Sequence, residues 1–166
     1  LIYGLLLGVG LSAFFILPSF FEKNLVQIDN LVRLDLDFRA HFATFSQLFL
    51  DRSWGYGASF PGPNDTISFQ IGWPHWILVL ASIPAVLIFK RGDKKLLIFY
   101  FGILTLFLFS IFMTHIRSAF IWEKIGILRF TQFPWRFLAV TIFTASLLGG
   151  FLIYSLNKFL GRILVA

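Results

Sequence analysis

The chain has 166 residues, 58% of them hydrophobic and 19% aromatic but only 13% charged, too little polar side chain to cover a water-soluble globule of this size. Its net charge of +6 comes from basic residues that flank apolar runs and form no dense patch, which argues against nucleic acid as a partner and for membrane orientation and anionic lipid. The absence of cysteine excludes disulfides, thiolate metal sites and cysteine nucleophiles.

Residues 1–21, 73–89, 96–114 and 137–156 contain no Asp, Glu, Lys or Arg. A helix rises about 1.5 Å per residue and needs roughly 20 apolar residues to cross a hydrocarbon core of about 30 Å. The stretch 96–114 carries thirteen Leu, Ile or Phe side chains, and no central charge opposes their insertion. The predicted fold is therefore all-α: a polytopic helix bundle of about four spans, one membrane domain over 1–166, with outer segments at 22–72 and 115–136 and a cytoplasmic loop at 90–95.

The first span opens inside an apolar run and the only methionine is Met113, so the chain reads as a piece of a longer protein. It lacks the basic n-region and small-residue cleavage site of a signal peptide. Gly4 and Gly8 form a small-xxx-small pair that would let another helix approach closely.

Over residues 35–50, Phe38, Phe42, Phe45 and Phe49 recur at helical spacing and predict one amphipathic helix lying on the membrane, with Arg39, Thr44, Ser46 and Gln47 toward water. The rival reading is a helix packed within an outer domain. Asp35 and Asp37 resemble the acidic pair that holds a divalent metal in many sugar transferases, but on a helix residues two apart point to nearly opposite faces. They remain weak metal candidates beside the plainer reading of solvated carboxylates at a helix start.

Residues 54–65 are dense in Gly and Pro and predict an ordered aromatic loop, either shaping a ligand site or simply folding over helix ends. Trp73-Pro74-His75-Trp76 opens the second span, where proline suits the first turn, and Pro84 should kink it or end its hydrogen-bond ladder. The basic run at 90–95 and then Lys158 and Arg162 place those ends in the cytoplasm, although Arg117, Lys124, Arg129 and Arg136 put cations on the opposite side as well. Trp54, Trp73, Trp76, Trp122 and Trp135 share that opposite, outer side, while Tyr3, Tyr100 and Tyr154 lie toward the other. His41, His75 and His115 lack metal-ligand spacing and are expected to hydrogen-bond at the interface.

The fourth span opens with Phe133-Pro134-Trp135-Arg136 and carries two small-xxx-small pairs, Ala145 with Gly149 and Ser146 with Gly150. The second and fourth helices both aim their positive dipole ends outward, with Arg129 and Arg136 beside the fourth. The pattern fits an anion site for a lipid phosphate, or arginines that snorkel to ordinary headgroups.

Three blocks together resemble a known family: residues 8–18, residues 54–75 with Pro61-Gly62-Pro63 and Ser68-Phe69-Gln70, and Ile121-Trp122-Glu123 followed by Gln132-Phe133-Pro134-Trp135-Arg136-Phe137-Leu138. They are similar to the prokaryotic "6-pyruvoyl-tetrahydropterin synthase-related" multi-pass membrane domain, itself similar to the GT-C superfamily of membrane glycosyltransferases. The resemblance implies a multi-pass protein of the cell (plasma) membrane that uses a polyprenyl-phosphate sugar at the outer face, of which this chain is the later half. The catalytic acidic motif would lie upstream, and with it any divalent metal. Arg129, Arg136, Trp135 and Gln132 would then hold the lipid phosphate, while Trp54, Tyr56, Asp65, Gln70 and His75 would wall the sugar site. The alternative is a non-enzymatic scaffold or lipid-binding protein. A transporter is disfavoured because no span has a charge near its middle.

Overall fold

The computed structural model describes residues 2–22, 25, 37–51, 53–60, 65–90 and 92–164, and only the backbone of Arg129 and residues 158–164. Its α-helices are α1 (Ile2–Phe21), α2 (Phe45–Phe49), α3 (Trp73–Phe89), α4 (Lys94–Thr114), α5 (Ala119–Lys124) and α6 (Leu138–Leu164). No strand forms among the described residues. Two isolated bridges, Ala43 with His115 and Tyr56 with Ile67, are the extended pairings. The chain is an all-α, multi-pass membrane protein: α1, α4 and the helix leading through α6 are long and apolar enough to cross a membrane. At 17 residues α3 is shorter, about 25 Å long, but it packs along α6, which also packs against α4.

The helices α3, α4 and α6 bury a common core in which Val79 and Val86 meet Tyr100, Phe107 and Ile111 of α4 and Ala145 and Leu148 of α6. Lipid tails are as apolar as these side chains, so close packing and interhelical hydrogen bonds must hold the bundle. Two buried bonds do so: Ser82 Oγ to Tyr100 Oη at 2.9 Å joins α3 to α4, and Ser110 Oγ to Thr141 Oγ1 at 2.8 Å joins α4 to α6. These pairs also set the orientation, with α3 and α6 entering from the end at which α4 leaves.

The small-residue pairs differ in outcome. A Cβ on Gly149 would lie 3.2 Å from Leu78 Cδ1, so this glycine lets α3 approach α6, and its partner Ala145 is fully buried. Gly150 has nothing within 4 Å, and neither do Gly4 and Gly8, so the α1 pair brings no close neighbour among the described residues. No residue of α1 is buried. Its Ser12 and Ser19 hydroxyls donate back to the Gly8 and Phe15 carbonyls, which satisfies them without a partner helix.

Of the two outcomes expected at Pro84, an end to the helix does not occur: α3 runs through it to Phe89, with Pro84 on the exposed face, where a missing N–H is tolerated inside a longer ladder. One expectation is corrected. The stripe from Phe38 to Phe49 is not one helix. Phe38–Ala40 is a 3₁₀ turn, the chain then runs extended past Ala43, and α2 begins afresh at Phe45. The break is a capping box, in which Thr44 Oγ1 accepts from the Gln47 N–H at 3.2 Å and the Thr44 N–H donates to Gln47 Oε1 at 2.8 Å. A residue whose side chain caps a helix leaves its own backbone extended. Gln47, expected toward water, is buried.

Because even a Cβ at position 149 would press on Leu78, Gly149→Leu should destabilise the bundle by roughly 1–3 kcal/mol through overpacking. Gly150→Ala, with open space around it, should be neutral or gain up to about 1 kcal/mol of helix propensity. Thermal or denaturant unfolding followed by circular dichroism checks both, and equal effects would remove the packing role given to Gly149.

Candidate functional site

All five tryptophans belong to the end of the bundle where α4 stops and α3 and α6 begin, or to the segments that cover it. That cover is anchored on the last carbonyls of α4, which have no partner within their own helix. Thr114 O accepts from the Ala43 N–H at 2.9 Å. Met113 O accepts from Ser118 Oγ and from Trp122 Nε1, each at 3.2 Å. Trp122 is fully buried, stacked on Phe38 at 5.5 Å between centroids and edge-on to Phe42 and Phe137. The covering segments thus carry their own small core of Phe38, Phe42, Met113 and Trp122.

His115 caps the next turn, its Nδ1 accepting from the Arg117 N–H at 3.2 Å. Burial holds its imidazole below the ordinary value of 6.5, and the nearby Arg117 charge acts in the same direction. On the other flank, Asp37 caps the 3₁₀ turn and pairs with Arg39 at 3.1 Å, and Arg39 also reaches Glu123 at 3.3 Å. Asp37 is therefore committed to an arginine. Asp35 lies outside the described residues, and among those described no three His, Cys, Asp or Glu side chains group around a common point.

The residue entering α6 that presents a cation is Arg136. Its Nη1 donates to Thr131 O at 2.9 Å and its Nη2 to Gln132 Oε1 at 3.4 Å, while the guanidinium lies 5.1 Å over the Phe133 ring. Gln132 has φ 63°, a left-handed conformation that costs a non-glycine residue about 1–2 kcal/mol, so the guanidinium braces a strained turn. Arg136 is exposed, and its planar fork has five N–H donors, more than these two bonds use. The side chain of Arg129 lies outside the described atoms, its backbone falling in the 3₁₀ turn Gly126–Thr131.

Trp135 is sandwiched between Phe133 at 5.3 Å and Phe69 at 5.7 Å. Its Nε1 is buried without a hydrogen-bond partner, as are His75 Nδ1 and Trp76 Nε1, so the Trp135 indole supports the wall and presents no exposed donor. His41 and His115 form the hydrogen bonds expected of them, but His75 Nδ1 does not.

The aromatic loop sits beside the arginine turn through two bridges. His41 Nδ1 bonds Ser59 Oγ at 2.8 Å, and the same ring meets Phe133 edge-on at 4.8 Å. Gln70 Nε2 donates to Ser53 O at 3.2 Å, next to Phe69, which stacks on Trp135. Asp65 staples the loop from within, its Oδ2 accepting from Gln47 Nε2 at 2.8 Å and its Oδ1 from the Phe60 N–H at 3.0 Å. Residues 61–64 lie outside the described residues. Trp54 and Tyr56, 74% and 88% exposed, face outward with ring centroids 5.3 Å apart. Gly57 is required where it stands, because a Cβ there would overlap the Thr66 side chain.

The arrangement therefore offers one clamped arginine and two exposed aromatic rings, on segments tied together by His41, Gln70 and Phe69. Sequence reading missed the contribution of Gln47 and the partner of His41. The Thr-x-x-Gln spacing at Thr44 was a usable signal for Gln47, whereas nothing local points to the pairing of His41 with Ser59. No known protein family, curated protein or solved structure matches the chain.

Two outcomes follow from the anchoring at α4. Trp122→Phe should keep the stack on Phe38 but lose one bond to Met113 O, costing about 1 kcal/mol, whereas Trp122→Ala should cost about 3–5 kcal/mol. Equal losses in an unfolding titration would deny the indole N–H its role. For His115, whose folded pKa is depressed, the unfolded segment binds more protons just below 6.5, so stability there is present above that pH and falls as acid is added. Amide exchange over residues 115–124, corrected for its intrinsic pH dependence, should quicken on acidification, and His115→Asn should flatten the response.

Proposed function

We propose that the tryptophan-rich end is the outer-face part of a membrane glycosyltransferase-like protein that handles a polyprenyl-phosphate sugar. The lysine-rich end would lie in the cytoplasm, and the membrane would be the cell membrane. The observation that carries this reading is the linkage of the turn that clamps Arg136, through Phe133, His41 and Ser59, to the loop on which Trp54 and Tyr56 stand exposed. A polyprenyl-phosphate sugar carries a phosphate, a sugar with apolar faces and a long apolar tail. An arginine fork matches the phosphate, exposed aromatic rings suit the sugar, and the neighbouring bundle offers the tail a membrane setting.

In this reading Arg136 stabilises the phosphate as it leaves, an electrostatic role that needs the guanidinium fixed in advance. Its bond to Thr131 O and its position over Phe133 supply that fixing. Trp135 stacks on Phe133 and so positions the arginine, and Gln132 sets the turn. The similarity of the Gln-Phe-Pro-Trp-Arg-Phe block to the 6-pyruvoyl-tetrahydropterin synthase-related membrane family, and through it to GT-C transferases, supports the same assignment. The base that activates an acceptor hydroxyl belongs, on that similarity, to a preceding part of the protein.

A second reading, a lipid-binding scaffold, is favoured by the same clamp: the bonds of Arg136 to Thr131 O and Gln132 Oε1 close its own turn, which is what a structural arginine does. The two separate by experiment. If Arg136 contacts the donor phosphate through a charge-assisted bond of about 1.5–3 kcal/mol, Arg136→Ala in the intact protein should weaken donor binding roughly 10- to 150-fold. Lysine at 136 should restore part of that. Sugar transfer from radiolabelled polyprenyl-phosphate donors to membrane-derived acceptors is the assay. Unchanged donor affinity and turnover in the alanine variant would leave Arg136 as a turn brace alone.

A further inference from the structure

At the opposite end, α4 and α6 leave between them a groove of 440 Å³, lined almost wholly by apolar atoms, with Phe99, Gly150 and Phe151 along its length and Lys95 and Tyr154 also on its wall. Gly150 leaves it open, since nothing lies within 4 Å of the place a Cβ would take. Phe151 is held against Phe99 at 5.8 Å and Tyr100 at 5.3 Å, so the walls are set by ring packing within the bundle. Lys90 Nζ stands 3.9 Å over the Tyr154 ring, which brings a second ammonium to the same region as Lys95. The nearby carboxylate of Asp93 is turned inward to cap α4, accepting from the Leu96 N–H at 3.1 Å.

An apolar groove in a membrane protein could take any acyl chain, and a pair of lysines could hold any anion. Their combination at one helix end selects a molecule that carries both features. We propose that this groove binds one acyl chain of an anionic phospholipid, with the headgroup phosphate held between Lys90 and Lys95. Lysine suits the task because its compact ammonium follows a mobile headgroup, and its stem covers apolar surface on the way. The ring of Tyr154 orients Lys90 by a cation–π contact. The site is separate from the arginine turn and does not rest on the reading of that end.

The test is native mass spectrometry of the purified chain in detergent, with phosphatidylglycerol or phosphatidylcholine of identical acyl chains. With each lysine contributing about fivefold, the wild type should retain the anionic lipid about 25-fold more strongly than the zwitterionic one. Joint replacement Lys90→Gln and Lys95→Gln should bring the ratio close to one while leaving phosphatidylcholine retention unchanged. Gly150→Leu should weaken retention of both lipids. Gly126→Leu, at an equally open glycine in the tryptophan-rich cover, should leave both as in the wild type. Equal retention of the two lipids by the wild type overturns the proposal, as does unchanged binding by Gly150→Leu. A dimer that Gly150→Leu dissociates would overturn it in favour of a second copy of the chain. Lys95 is exposed and Lys90 half-buried at the helix end, and Gln keeps most of the stem of each, so the lysine variants decide the headgroup assignment even if Gly150→Leu fails to fold.

Discussion

The last carbonyls of α4 set the terms for the tryptophan-rich half of the molecule. A helix that ends among apolar rings cannot leave its final C=O groups to water, and each one left unpaired would cost on the order of 1–3 kcal/mol. Thr114 Oγ1 folds back to Ile111 O and the His115 N–H closes on Phe112 O. That leaves Met113 and Thr114, whose carbonyls are met by Ser118, Trp122 and Ala43. Those donors come from two segments far apart in sequence. Satisfying one helix end therefore pins residues around 43 against residues around 118, and the small core of Phe38, Phe42 and Trp122 grows around the joint.

The rest of the bundle shows how few polar groups such an assembly needs. Among the described residues of α3, α4 and α6, Ser82 with Tyr100 and Ser110 with Thr141 are the side-chain hydrogen-bond pairs that cross between helices, while Thr144 and Ser146 bond back to their own helix. Interhelical bonds of this kind are worth about 0.6 kcal/mol each on average, too little to hold the helices alone. Their positions matter more than their sum. Each joins a different pair of helices, so together they fix register on both sides of α4. Close approach at Gly149 then supplies van der Waals contact along α3 and α6. The helix α1 shares none of these devices and keeps its hydroxyls within itself.

The spanning helices were legible because they depend on one local property, a run without charge: the expected 73–89 coincides with α3, and 96–114 differs from α4 by two residues at its lysine start. The segment from Phe38 to Phe49 was not, although its phenylalanines keep helical spacing, because that spacing says nothing of what each ring packs against. Phe38 and Phe42 go to Trp122, whereas Phe49 goes to Trp76. The Thr44 cap with Gln47 marks where the allegiance changes. At the candidate site, the clustering of Trp135, Gln132 and Arg136 followed from their adjacency in the chain. The link from that turn to the aromatic loop did not, since it runs through His41 and Phe69, which lie far from Phe133 and Trp135 in the sequence.

The two ends of the bundle differ in how they hold their cations, and this bears on what each could do. Arg136 is braced by a carbonyl, an amide oxygen and a ring, so a ligand meeting it finds a charge whose orientation is already fixed and loses little entropy in ordering it. Lys90 has a ring contact and Lys95 an exposed place on a groove wall, which leaves both ammonium groups free to follow what they bind. A fixed fork favours one geometry of one anion, as stabilisation of a leaving phosphate requires. Mobile ammonium groups accept anionic headgroups of varied shape, as the proposed retention of an anionic lipid requires. On the two proposals, the same bundle would serve selectivity at one surface and adaptable adhesion at the other, with the apolar α3–α4–α6 core between them.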